Sequence, residues 1–125
     1  MQEAKGTFDV RMTVESDAPV ARMALVKSFH GDLEGNSVGT MLSAGNPAEG
    51  SAGYVAIENV TASLAGRQGG FSLQHSGTMH AGEQTLAIAV VPGSGTGALA
   101  GISGSITIAI EGGVHSYALR YSLSD

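Results

Sequence analysis

The chain has 125 residues, no cysteine, and a formal net charge of −5 from six Lys and Arg against eleven Asp and Glu. That length suits one domain, residues 1–125, with a core of its own, and the missing cysteines exclude disulfides, thiolate zinc sites and cysteine nucleophiles. No basic cluster is present to release counterions from a phosphate backbone, which argues against nucleic acid; no apolar run is long enough for a membrane helix, and the start lacks a leader core, so a cytoplasmic location is expected.

Nineteen glycines fall at intervals between apolar runs, the punctuation of many strands joined by tight turns. Thr7 to Val14 alternates strictly, with Phe8, Val10, Met12 and Val14 on one face. Met23 to Leu33 carries Met23, Leu25, Phe29 and Leu33 on one side, and Gly35-Asn36 is the expected turn into a returning strand, Val38 to Ala44. Beyond the Asn46-Pro47 break, Tyr54 to Leu64 alternates again, and Arg67-Gln68-Gly69-Gly70 is expected to turn the chain into Phe71 to Met79. Ala81-Gly82 leads into the more uniformly apolar Leu86 to Val91; Ile106 to Ile110, Gly112-Gly113 and Val114 to Leu123 form the clearest hairpin.

Residues facing each other across a hairpin point to the same side of the sheet, so turn length predicts pairing. A two-residue Gly112-Gly113 loop pairs Ile110 with His115, Ile108 with Tyr117 and Ile106 with Leu119. A Gly35-Asn36 loop pairs Leu33 with Val38 and Phe29 with Leu42, and an Ala81-Gly82 loop pairs His75 with Ile88. About eight strands without an amphipathic helix predict an all-β, eight-stranded antiparallel up-and-down barrel; a two-sheet sandwich is the alternative.

Several stretches resemble a family of small bacterial proteins known as domain of unknown function 3224. They are Phe29-His30-Gly31-Asp32-Leu33-Glu34-Gly35, Met41-Leu42-Ser43-Ala44, Gly53-Tyr54-Val55-Ala56-Ile57-Glu58, Gln74-His75-Ser76-Gly77-Thr78-Met79, Gly95-Thr96-Gly97-Ala98-Leu99-Ala100-Gly101 and His115-Ser116-Tyr117. The resemblance implies an allene oxide cyclase-like barrel, a fold whose members hold an apolar molecule inside and steer its cyclisation or coupling. It transfers no catalytic residues, and fold alone does not confer activity.

Polar groups on apolar faces are the candidate site. Lys27 lies between Leu25 and Phe29, Glu58 between Ala56 and Val60, and His75 between Leu73 and Gly77, each near mid-strand. Turned inward, they converge at mid-depth, where desolvation and mutual charge suit acid and base chemistry. Glu58 is the expected general acid or base, His75 the proton shuttle and Lys27 a charge partner or anion stabiliser. Tyr54, Tyr117 and Tyr121, with Phe29, are the candidate ligand contacts, and for Tyr117 and Tyr121 core or rim packing is the heavier reading. The bland alternative is a buried Lys27–Glu58 ion pair beside a core histidine in a barrel filled by its own side chains.

His30, Asp32 and Glu34 alternate on the polar face and are read as solvated, with no metal expected; His115 is placed at the barrel rim. Gly93-Ser94-Gly95-Thr96-Gly97-Ala98 has dinucleotide-loop spacing, but no βαβ unit surrounds it, so it is read as a crossover that caps the barrel or borders its mouth, with a helical turn near Ala98 to Ile102. Gly35-Asn36-Ser37-Val38-Gly39 has nucleophile-elbow letters, but a hairpin turn is the wrong context. No cofactor is implied.

The expected function is binding of a small apolar molecule, with isomerase or cyclase-like action on it. A non-catalytic carrier and a plugged structural module are the alternatives. Val26, Val55 and Ile57 interrupt the polar outer faces, from which a homodimer or trimer is expected.

Overall fold

The computed structural model describes residues 1–17 and 19–123. Its strands are β1 (Gln2–Ser16), β2 (Ala21–Gly31), β3 (Leu33–Asn46), β4 (Ser51–Leu64), β5 (Arg67–His80), β6 (Glu83–Val90), β7 (Thr96–Gly97), β8 (Ile102–Glu111) and β9 (Val114–Leu123), with one 3-10 turn at Pro47–Glu49. Each long strand pairs antiparallel with the next, β6 passes to β8, and β9 returns to β1 from Gln2↔Tyr121 to Phe8↔His115. The result is a closed, eight-stranded, up-and-down barrel, as the alternation predicts; β7 adds a two-residue bridge on β5. Among the described residues no helix is long and apolar enough to cross a membrane.

Three of the hairpins close through two-residue turns, Ala65-Gly66, Ala81-Gly82 and Gly112-Gly113, with positive φ at both central positions, the geometry that matches strand twist. The second and third place His75 opposite Ile88 and Ile110, Ile108 and Ile106 opposite His115, Tyr117 and Leu119, as expected.

Two turn expectations are overturned. The chain reverses at Ala65-Gly66, and Arg67 to Gly70 already belongs to β5, where Gly69 and Gly70 pair with Gly97 and Thr96. A side chain at Gly69 would run into the Thr96 carbonyl, so these glycines serve a close crossing and not a turn. The other reversal is centred on Asp32, not Gly35-Asn36, so that Phe29 faces Gly35, and Lys27 faces Ser37. The shift is odd in register and turns β3 over. Val38 and Leu42, expected on the core face, lie outside at 61% and 41% exposure, while Ser37 and Met41 look inward.

Contacts remote in sequence decide that turn. The Asp32 carboxylate accepts from the Lys5 amide at 2.9 Å, the Asp32 amide donates to the Lys5 carbonyl, and the Glu34 carboxylate accepts from the Gly31 amide. The Tyr117 hydroxyl, arriving from β9, accepts from the Leu33 amide at 2.9 Å and has the carbonyls of His30 and Leu33 at 3.0 and 3.1 Å for its own proton.

The two ends of the barrel differ. One is packed solid by side chains such as Leu33, Leu64, Phe71 and Leu119, and by Leu99, which drops in from the crossover between β6 and β8. That crossover winds through successive short-range bonds, Leu99 amide to Thr96 carbonyl and Ile102 amide to Leu99 carbonyl, and caps this end. At the other end Met12 and Ile110 are 54% and 63% exposed although they border the interior. On the outer wall, Val26 pairs with Val38 and Leu42 with Val55, and Ile57 completes an apolar patch across β2 to β4.

Replacing Tyr117 by Phe removes the hydroxyl that serves three backbone groups at the buried turn. Urea unfolding should show a loss of about 1–3 kcal/mol. A loss within the range of an ordinary surface substitution would mean that the hydroxyl does not hold the turn.

Candidate functional site

Four neighbouring strands each contribute one polar side chain to a buried cluster: Lys27 from β2, Ser37 from β3, Glu58 from β4 and His75 from β5. Strand alternation carries each inward, and the register brings them level, with Lys27 opposite Ser37 and Ala56 opposite His75. Gly39 lies opposite Glu58, and a methyl group there would come within 2.8 Å of the Glu58 Cα and Cβ. Its missing side chain leaves the space that the Glu58 side chain occupies.

Glu58 has no accessible surface and its carboxylate accepts three hydrogen bonds. Lys27 Nζ is 2.8 Å and His75 Nε2 is 2.5 Å from Oε2, and the Ser37 hydroxyl donates to Oε1 at 2.7 Å. Burial by itself pushes the carboxyl up; the His75 hydrogen bond, the Lys27 charge and hydrogen bond, and the Ser37 hydroxyl outweigh it and hold the group at about 2. Glu58 is therefore an anion at neutral pH and can only accept, so the hydrogen of the His75–Glu58 bond sits on Nε2.

The Lys27 ammonium also lies 5.1 Å from the centroid of the Phe8 ring, a cation–π contact. The hydroxyl of Tyr54 is 3.5 Å from His75 Nδ1. Tyr54 faces Gly77, and a Cβ on Gly77 would sit 2.5 Å from its ring, so the absent side chain lets the ring lie across β5 toward the imidazole. Burial, then the Glu58 charge, raise the Tyr54 hydroxyl above its ordinary value and keep it a donor.

Above this cluster the open half of the barrel holds a cavity of about 420 Å³, within the usual range for small-molecule sites. Lys27, Tyr54 and His75 line it; Glu58 stands behind them. Met12, Met23, Met41 and Met79 contribute flexible thioether side chains to its walls.

The bland alternative is met in its buried Lys27–Glu58 ion pair beside a hydrogen-bonded histidine and in the closed half, which side chains fill; the open half departs from it. The cluster unites Lys27, Glu58 and His75, with Tyr54 beside them, as read from alternation. Phe29, Tyr117 and Tyr121 are in the packed half, Phe29 edge-on to Tyr117 at 5.7 Å, and none of the three borders the cavity.

The sequence of the chain matches the family model described as a protein of unknown function (DUF3224) over residues 4–121. The chain belongs to the DUF3224 family. A crystal structure of a DUF3224 protein with unknown function from Shewanella oneidensis MR-1 is similar to it, at 45% sequence identity and a TM-score of 0.94, covering 100% of this chain and 98% of that one. No match is found among curated proteins.

Within this DUF3224 chain, the participant that the sequence reading missed is Ser37. Its letters sit in a nucleophile-elbow pattern, set aside on the ground that they form a turn; they lie instead inside β3, and the hydroxyl is spent on Glu58. Correct placement of the Asp32 reversal is the signal that would have found it. His115 stands at the rim as expected, 5.2 Å from the Phe8 ring, and His30 is exposed beside Asp9. Among the described residues no group of three His, Cys, Asp or Glu could hold a metal.

A carboxyl held at about 2 when folded and near 4.5 when free binds more protons unfolded, so its contribution is present above about pH 4.5 and is lost as pH falls through 2. The whole of that contribution is about 3 kcal/mol. In urea titrations the stability gap between the native chain and Glu58→Gln should be widest near neutrality and narrow progressively in acid; a gap independent of pH would contradict the assignment.

Proposed function

We propose that the open half of the barrel binds a small, largely apolar molecule bearing a carbonyl and moves a proton on it, as an isomerase or a cyclase-like enzyme does. One observation carries the reading: among the described residues Lys27 and Glu58 are the only buried Lys, Arg, Asp or Glu side chains, and with His75 they stand at the floor of the open cavity.

Glu58 holds the imidazole through Nε2–H, which leaves Nδ1, on the Tyr54 side, to take a proton from carbon next to the carbonyl. The carboxylate then stabilises the imidazolium that forms, the role of the acid in a hydrolase triad. Lys27 and Tyr54 are the donors for an oxygen that becomes enolate-like. Return of the proton to another carbon completes an isomerisation. In this scheme Glu58 orients and stabilises, while His75 is the base, because the carboxylate already carries three donors and has no surface on the cavity. That same saturation favours the second reading, a carrier that grips the molecule without changing it. The likeness to cyclase barrels read from the sequence supports the first.

2-Acetonaphthone is a suitable probe, an apolar methyl ketone with exchangeable protons beside its carbonyl. In deuterated buffer, proton NMR should show the methyl signal disappearing about tenfold or more above the buffer rate with the native chain. His75→Gln, whose amide can still donate to Glu58, should bring the rate back to buffer while calorimetry still detects binding. Binding without exchange by the native chain would leave the carrier; no binding would remove both readings.

A further inference from the structure

The charges around the cavity carry a statement about what it accepts. Of the six Lys and Arg side chains, Lys5, Arg11, Arg22, Arg67 and Arg120 are exposed, and Lys27 alone is buried. Its charge is already matched by Glu58 at 2.8 Å. The groups that face His75 are Glu58 and Tyr54 from β4, with Lys27 bound to the same Glu58 oxygen; Ile88, opposite on β6, brings no charge. With neutral imidazole the polar floor therefore sums to zero. It offers hydrogen-bond donors but no spare positive charge.

The approach is negative as well. The turns at the open end and the strand ends beside them carry Glu15, Asp17, Glu49, Glu83 and Glu111, all exposed, against Arg22, which is paired with Glu15 at 3.2 Å, and the exposed His80. A buried anion without a counter-charge is strongly disfavoured, and an acidic entrance lowers its local concentration further.

We propose that the cavity selects an uncharged, carbonyl-bearing apolar molecule such as a ketone or ester and rejects the corresponding carboxylate, and that the Glu58 charge is the determinant of this choice. The inference rests on the cavity being a ligand site. A neutral carbonyl oxygen accepts from Lys27 or Tyr54 without disturbing the charge balance. A carboxylate enters only by bringing a proton with it, to His75, to His115 at the rim of the cavity, or to itself.

Calorimetry with 2-acetonaphthone and 2-naphthoate, similar in size and differing in charge, tests this. At about pH 8 the native chain should bind the ketone at least about tenfold more tightly. Ketone affinity should not change with pH, whereas naphthoate should bind with uptake of about one proton, read from buffers of different ionisation enthalpy, and gain up to about tenfold per pH unit on acidification. Glu58→Gln leaves Lys27 unmatched and should shift the ratio toward naphthoate by about tenfold or more.

Naphthoate binding as tightly as the ketone at that pH without proton uptake would overturn the charge argument and leave the cavity a ligand site. A ratio unmoved in folded Glu58→Gln would overturn the role of Glu58. Should that variant not fold, the native comparison and its proton count still decide. If neither compound binds the native chain, the ligand-site reading falls and this inference with it.

Discussion

A carboxylate buried in the middle of a barrel wall makes demands on everything around it. Left alone, the Glu58 anion would cost several kcal/mol of desolvation; here three donors from three other strands meet it. Those bonds are short-ranged and directional, so they tolerate one pairing of β2, β3, β4 and β5 and no other. A one-residue slip of β2, β3 or β5 would turn its donor outward and cost the carboxylate a hydrogen bond, and a slip of β4 would turn Glu58 itself away from all three. The register of half the barrel is thereby tied to a single ionised group. Hydrophobic packing alone is less particular, since apolar positions on neighbouring strands can often exchange partners.

The rest of the interior divides around this cluster. On the side of the β2–β3 turn, large side chains and Leu99 exclude solvent and supply most of the apolar burial that stabilises the chain. On the other side the strands run on but their inward residues, among them Met12, Val14 and Ile110, do not meet, and half or more of each stays exposed. A packed half can hold an unpacked one open because the strands are continuous through both. The polar layer lies at the boundary, where one face of Lys27 and His75 is held by protein and the other borders the cavity.

Much of this was legible in the chain because a strand has a period of two. Lys27, Glu58 and His75 each sit in phase with apolar neighbours, and phase alone places them inside. The dipeptides Ala81-Gly82 and Gly112-Gly113 located two of the three two-residue turns from local sequence alone. The reversal at Asp32 escaped, since its partners, Lys5 and Tyr117, lie 27 and 84 or more residues away. Local turn chemistry favoured Gly35-Asn36, and tertiary hydrogen bonds prevailed. The error spread to β3 as a whole and hid Ser37. The tyrosines show a different limit: Tyr54, Tyr117 and Tyr121 all point inward, but alternation reports the face of a strand and not the depth along the barrel, and depth is what puts Tyr54 on the cavity and the other two in the packed half.

Fold and chemistry draw on the same residue with opposite requirements. To fix four strands, Glu58 must remain ionised and fully bonded, which holds it at about 2 and removes it as a base near neutrality. A proton acceptor at the cavity must then be the neighbour that Glu58 orients, and His75 meets that condition because its Nε2 is engaged while Nδ1 faces only the long contact with Tyr54. The structural role of the carboxylate does not compete with a functional one for the imidazole; it sets the tautomer, the ring orientation and the charge balance that together define what the imidazole can do.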